Sequence, residues 1–173
     1  MRFPSIFLSA ALFALAGGVA LAQNVPRSAT GNWIISETSS PVDYTPVVVA
    51  VTPSRDDVEN SAMELTIYCR SGRTNLVVTG SAVSGRGNDY AISYRINRDK
   101  PVNAGAGSPT FGIGVAFQGD VVRLLQSFPD EGELTVQLTT RAGITREASF
   151  SLIGLDIVRD KVARACKWPK AAN

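Results

Sequence analysis

The chain has two residues capable of thiol chemistry, Cys69 and Cys166, and it has no histidine. The absence of histidine removes Ser-His and Cys-His catalytic arrangements and disfavours a catalytic zinc site. A thiol nucleophile or a metal-binding thiol pair would need a base or further ligands. The composition therefore favours a structural role for both thiols.

The positions of the two cysteines predict a disulfide bond. In the segment 63–70, apolar residues alternate with polar ones, and Cys69 is in phase with the inward-facing set. Between Gly154 and Trp168, apolar residues recur at helical spacing, and Cys166 lies on or beside their stripe. We therefore predict one disulfide that ties a C-terminal helix to the sheet.

Carboxylates and glycines offer weaker signals of chemistry. A pair of catalytic carboxylates, as in a glycosidase, is possible because several acidic residues lie near predicted strand ends. They are Asp89, Asp99, Asp130 and Glu131. Nothing in their spacing places two of them across a cleft, so we expect no catalysis, cofactor or bound metal. The segment 105–108 lacks the spacing and the Lys-Ser/Thr ending of a phosphate loop, and we predict a flexible loop there.

Basic residues outnumber acidic ones between positions 70 and 100. If the two predicted hairpins of this region pack side by side, Arg73 and Arg95 share an exposed face. Their guanidinium groups would then be presented to a carboxylate or phosphate. The alternative is a solvated, partly ion-paired face in which Arg95 pairs with Asp89 or Glu64.

Residues 1–22 have the pattern of a secretory signal peptide. Arg2 provides a positive start, 6–16 are mainly apolar, and 20–22 form an Ala-x-Ala site before Gln23. The apolar run is short for a bilayer span, which needs roughly 20 residues. We therefore predict export and cleavage, with no stable membrane insertion afterwards, and an oxidising compartment that permits the disulfide.

The mature chain, 23–173, is predicted to form a single domain. Removing Arg2 from the 17 basic residues leaves 16, against 15 acidic ones. This balance does not indicate nucleic acid or an anionic membrane surface as a partner.

Alternating and β-branched segments predict a mainly β fold. Six to eight strands are expected in the segments 32–38, 41–52, 63–70, 73–83, 89–98, 110–118, 132–141 and 145–153. A loop is predicted for 99–109, and Asp120 should cap a short helix, 121–128, that Pro129 ends. Short connections favour an antiparallel sandwich or curved sheet, closed by the short helix and the C-terminal helix.

Several short segments occur in an order that resembles the periplasmic type VI secretion-associated family, often called VasI/TagO-like. They are 65–70 with Thr74 following, 94–97, 147–155 and 165–168. Asn97 stands where the family usually has aspartate, and 102–108 lacks a tryptophan typical of the family. The pattern is that of a divergent member.

The resemblance implies a secreted, disulfide-stapled β domain that acts as a non-catalytic accessory in the bacterial envelope. We therefore predict a binding or scaffolding protein of the Gram-negative periplasm that contacts another envelope protein through a face or an edge of its sheet. One of the segments that resemble the family contains Arg95, and we take Arg73, Tyr94, Arg95 and Asn97 as candidate binding residues. The alternative is a small-ligand or glycan-binding module that uses Arg95 and the region of Gly112.

Overall fold

The computed structural model describes residues 30–55 and 62–169, and the predicted signal peptide lies outside this part. Nine strands, two α-helices and one short 3-10 helix (Gly87–Asp89) occur in the described part of the chain. The strands are β1 (Ile34–Ser39), β2 (Pro46–Pro53), β3 (Met63–Arg70), β4 (Arg73–Gly80), β5 (Tyr90–Ile96), β6 (Val102–Gly107), β7 (Val115–Gln118), β8 (Glu133–Thr140) and β9 (Thr145–Ser151). The helices are α1 (Val121–Ser127) and α2 (Leu155–Cys166).

These strands form one antiparallel sheet in the order β1-β2-β3-β4-β7-β6-β5-β8-β9. The sheet curves strongly. Arg55, just beyond β2, donates a backbone hydrogen bond of 2.8 Å to the carbonyl of Ser149 on β9. The prediction of an antiparallel curved sheet with two helices is confirmed.

One apolar core lies on the inner face of the sheet. The alternation of β2 and β3 turns Val48, Ala50 and Ile67 inward, and all three are buried. Helix α2 packs on β2, β3 and β4 through a stripe at helical spacing that includes the buried Val158 and Val162. Each such side chain contributes about 1.5–3 kcal/mol through burial, so the helix belongs to the core.

Helix α1 follows its predicted capping pattern. The side chain of Asp120 accepts a hydrogen bond of 2.9 Å from the backbone N–H of Arg123. Phe128 is extended, as expected for the residue before Pro129. The short helix thereby covers part of the core next to β4.

The loop predicted for 99–109 is wrong over Val102–Gly107, which form β6. Two glycines make room for the neighbouring strand. A Cβ atom at Gly105 would lie 3.0 Å from Cβ of Gln118, and one at Gly107 would lie 2.6 Å from Nε2 of Gln118. The Gln118 side chain of β7 therefore packs directly against these two glycines, and the low strand propensity of glycine hides β6 from sequence patterns.

The strand predicted for 110–118 begins only at Val115. Gly112 and Gly114 have positive φ values of 79° and 122°, which interrupt extended backbone. Ile113 lies between them and is exposed. The alternating residues before Val115 therefore form an irregular loop that leads into a short strand, and not the longer strand that the pattern predicted.

Candidate functional site

Cys69 on β3 and Cys166 on α2 form the predicted disulfide, which joins positions 97 residues apart in the sequence. Both residues are buried. In the chain-entropy model, a loop of about 100 residues corresponds to about 4.7 kcal/mol of stabilisation. With both cysteines bonded, no free thiol remains for catalysis.

The residues after Cys166 reinforce the same junction. Lys167 adopts the left-handed conformation and ends α2. Trp168 then donates a hydrogen bond of 2.7 Å from Nε1 to Oγ1 of Thr74 on β4. Thr74 and the segment 165–168, both part of the family resemblance, therefore meet at one structural joint.

Arg95 lies on the outer face of β5, and its Nη2 is 3.3 Å from Oε1 of Glu147 on β9. The predicted alternatives Asp89 and Glu64 are not its partners. Both side chains are more than one-third exposed, so this ion pair contributes only about 0.2–1 kcal/mol. Nε of Arg95 is buried and has no hydrogen-bond partner among the described residues.

A shallow depression of about 120 Å³ lies beside Arg95. Pockets for small molecules usually measure roughly 300–1,000 Å³, so the depression is small for such a ligand. Gly112 does not contribute to it, because Gly112 lies against Tyr68 on β3. Three strands separate β3 from β5 in the sheet.

Arg73 does not share a site with Arg95. It begins β4, and β7 and β6 lie between β4 and β5. The side-by-side hairpins that would have joined the two arginines are therefore absent from the described sheet.

Tyr94 and Asn97 are engaged by the fold. The Tyr94 ring packs inside the sheet, 6.0 Å from the Phe117 ring and 5.8 Å from the Phe128 ring. Asn97 has a φ of 51°, and its Oδ1 accepts a hydrogen bond of 3.0 Å from the backbone N–H of Glu133. Asn97 thus joins the end of β5 to the start of β8.

Two of the four candidate carboxylates are engaged in ion pairs. Asp89 lies 3.5 Å from Arg141, and Asp130 pairs with Arg159. Burial lowers the pKa of Arg159, whose Nη1 also donates hydrogen bonds to backbone carbonyls of α1 and its C-terminal end. Within 30–55 and 62–169, no group of three or more acidic or cysteine residues is placed to hold a metal ion.

The β1–β2 hairpin presents an apolar tip to solvent. Val42 is 85% exposed and Tyr44 is 82% exposed. The tip is nevertheless hydrogen-bonded, because Oδ1 of Asp43 accepts bonds from the backbone N–H and the hydroxyl of Thr45. Hydrogen bonds from the side chains of Ser40 and Thr45 lower the pKa of Asp43. Two large apolar side chains are therefore held outward by an ordered turn.

The sequence pattern predicts a strand over 41–52, whereas β2 begins only at Pro46. Pro41 and the Asp43-x-Thr45 spacing are typical of a turn with Asx hydrogen bonds, and they could have identified this tip. The valine-rich segment 47–51 that follows has strong strand propensity, and it extended the predicted strand back over the turn. Its outward-facing members, Val47, Val49 and Val51, are only half-buried.

A groove of about 430 Å³ lies between α2 and the β1–β2 hairpin. Lys161 of α2 forms an ion pair with Glu37 of β1 across it. Arg164, one helical turn further along, also lines the groove. It is exposed, and no ion pair to it occurs within the described ranges.

No protein-family model, curated protein or solved structure matches this chain. In the part of the chain that the structure describes, neither helix is long and apolar enough to cross a bilayer.

Proposed function

We propose that this chain is an exported, non-catalytic accessory protein of the Gram-negative periplasm that binds or scaffolds another cell-envelope protein. We also propose that it is a divergent relative of the VasI/TagO-like family with a role associated with type VI secretion. The short segments that resemble the family support this second part. Four of their residues meet around the disulfide, namely Cys69, Thr74, Cys166 and Trp168.

The observation that carries the proposal is the exposed apolar surface of the β1–β2 hairpin. Val42 and Tyr44 both lie in its tip and are 85% and 82% exposed, whereas Ile34, at the opposite end of β1, is 71% exposed. Aromatic residues are enriched in protein–protein interfaces, and exposed apolar side chains that lie together mark interaction surfaces. A partner that covers this hairpin would bury area that the domain itself leaves in water.

Export is supported by the signal-peptide pattern of 1–22 and by the use of both cysteines in one disulfide. Disulfides persist in oxidising compartments such as the periplasm. We expect mass spectrometry of the periplasmic fraction to find an oxidised chain that begins at Gln23. A reduced cytoplasmic chain that retains Met1 would contradict the localisation.

The binding function is tested by photo-crosslinking in cells of the native host. A photoreactive amino acid is placed at Tyr44, and in a matched control at Ile144 in the β8–β9 turn, where the side chain is also exposed. We expect one discrete envelope-protein adduct from position 44 and none from position 144. The same adducts from both positions, or none from either, would contradict the proposal.

A small-ligand or glycan-binding function is the second candidate, because Nε of Arg95, next to the depression beside β5, has no hydrogen-bond partner in the part of the chain that the structure describes. It predicts a rise in melting temperature with anionic peptidoglycan fragments, which Arg95→Gln abolishes. Arg146→Gln, an exposed change on β9, is the control. No shift at millimolar fragment would exclude this candidate.

A further inference from the structure

Strand β1 forms one edge of the sheet, and half of its backbone groups point away from β2. The backbone N–H of Ser40 bonds to the carbonyl of Thr45, which fixes the alternation of the antiparallel ladder. Because the hydrogen-bonding direction alternates along a strand, the backbone groups of Thr38 and of every second residue before it point toward β2. The backbone groups of Ile35, Glu37 and Ser39 therefore point outward, and no backbone partner for them occurs within the described ranges.

The opposite edge strand, β9, is partly covered by another segment of the chain. Its Ser149 carbonyl is already occupied by the backbone N–H of Arg55. Its first half also carries the exposed charges of Arg146 and Glu147, which discourage the addition of another strand. β1 contains no proline, lysine or bulge, and its register with β2 is unbroken over six residues. Its one charged residue, Glu37, forms an ion pair with Lys161 of α2.

The groove beside α2 lies on the face toward which the Glu37 side chain points. In a sheet, residues directly opposite one another project to the same face. A side chain of an added strand opposite Ser39, which projects to the same face as Glu37 and also lines the groove, would therefore enter the groove without lying directly opposite the Glu37 carboxylate. It would meet Lys161 and Arg164, of which only Lys161 already has a carboxylate partner in the described ranges.

We propose that β1 accepts an extended segment of the envelope partner as a tenth strand, with an acidic side chain of that segment paired to Arg164 and Lys161. Backbone hydrogen bonds from Ile35, Glu37 and Ser39 supply affinity, and the groove cations supply selectivity. This inference rests on the proposed protein-binding function and specifies the recognised segment: an extended segment with an acidic side chain on the face that projects toward α2.

The backbone part is tested with Ser39→Pro, which removes one outward N–H and leaves the bonds to β2 in place. Ser39→Ala is the matched control because it retains that N–H. The probe is an end-blocked peptide that alternates glutamate and valine, titrated by NMR into the oxidised, full-length mature protein. We expect Ser39→Pro to raise Kd at least ten-fold relative to Ser39→Ala. Equal Kd values, or no binding of the probe at millimolar concentration, would overturn the proposal.

The role of the groove cations is tested with Arg164→Glu. The control is Arg123→Glu, which changes an exposed residue of α1 and alters the net charge by the same amount. The second probe is the same peptide with lysine in place of glutamate. We expect Arg164→Glu to weaken the glutamate peptide at least ten-fold and to reverse the preference between the peptides. An unchanged preference, or an equal effect of Arg123→Glu, would overturn the role of the groove.

Amide hydrogen exchange of the unbound protein provides a readout that does not depend on any variant. We expect fast exchange at Ile35, Glu37 and Ser39 that slows when the glutamate peptide binds. Protection without peptide at all protein concentrations would show that the chain covers its own edge. Protection that grows with protein concentration would show pairing with a second copy. Either result would overturn the proposal, whereas the crosslink from position 44 would still test the broader function separately.

Discussion

Arg159 illustrates how a charged side chain of α2 serves the fold. Its Nη1 donates hydrogen bonds of 3.2 Å and 2.6 Å to the carbonyls of Leu125 and Phe128, and its Nη2 pairs with Asp130. These carbonyls lie at the C-terminal end of α1, where no intrahelical donor remains. A cation at that position also complements the helix dipole. Arg159 therefore joins the two helices.

Replacement of Arg159 by glutamine should lower the free energy of unfolding by about 1–3 kcal/mol, because carbonyls at the end of α1 lose their donor. Arg164→Gln on the same helix is the control, with an expected change within about 0.5 kcal/mol. Urea unfolding of both oxidised variants gives the comparison. Equal stability of the two variants would contradict the joining role of Arg159.

Asp43 should titrate below its ordinary pKa of 3.8, because the Ser40 and Thr45 hydrogen bonds favour its charged form. A folded pKa below the unfolded value means that the stabilisation is complete above the unfolded pKa. It is lost as the pH falls through the folded pKa. NMR titration of the Asp43 carboxyl should give a midpoint below 3.8, and Thr45→Val should raise it. A wild-type midpoint at or above 3.8 would contradict the ordered hairpin tip.

Sequence patterns predicted single residues well where a local rule applies. Cys69 and Cys166 could be paired because each element has its own periodicity and no other thiol competes. The partner of Arg95 could not be predicted, because Glu147 reaches it only through the pairing of β5 and β9 with β8. That pairing is a long-range feature, on which local alternation carries no information.

At the scale of elements, α2 depends on covalent and noncovalent attachments at its C-terminal end. The disulfide fixes it to β3, and Trp168 bonds to Thr74 on β4. Both attachments lie beside the last turn. The start of the helix is held separately, by burial of Leu155 and Val158.

Removal of the disulfide in a Cys69→Ala, Cys166→Ala double variant should lower the free energy of unfolding by up to about 4.7 kcal/mol. Thermal unfolding and periplasmic yield are the measurements. Unchanged stability of the double variant would contradict the disulfide's structural role.

Trp168→Phe should lower the free energy of unfolding by about 0.5–1.5 kcal/mol, because the hydrogen bond to Thr74 is lost. Thermal unfolding is the measurement.

Gly114 at the start of β7 has both a positive φ and a neighbouring backbone. A Cβ atom there would lie 2.5 Å from the carbonyl oxygen of Val78. Gly143 also has a positive φ, of 82°, but has open space around it. Gly143→Ala should therefore cost about 1–2 kcal/mol, and Gly114→Ala about 1–3 kcal/mol more. Equal melting temperatures would contradict the close approach of β7 to β4.

Helix α1 and most strands were predictable because capping residues and alternation are local signals. β6 was not, because its alanines and glycines have low strand propensity and are selected by contact with β7. The hairpin tip at 40–45 was missed for a related reason. A strong β-branched run next to it extended the predicted strand too far.

At the scale of the molecule, the curved sheet has two unequal edges. β9 is partly covered by the chain at Arg55, whereas the outer backbone groups of β1 have no partner within the described ranges. Sequence patterns could predict a curved antiparallel sheet but not its order, in which β7 and β6 are inserted between β4 and β5. The position of the edges follows from that order, so the candidate site could not be derived from the sequence.

The central claim, that a partner protein binds at the β1 side of the domain, is tested most directly by hydrogen exchange on the purified complex. The exported protein is compared alone and with the partner identified by crosslinking at Tyr44. We expect new protection at Ile35, Glu37 and Ser39, with little change on β9. Protection confined to β9, or to the surface around Arg95, would contradict the account.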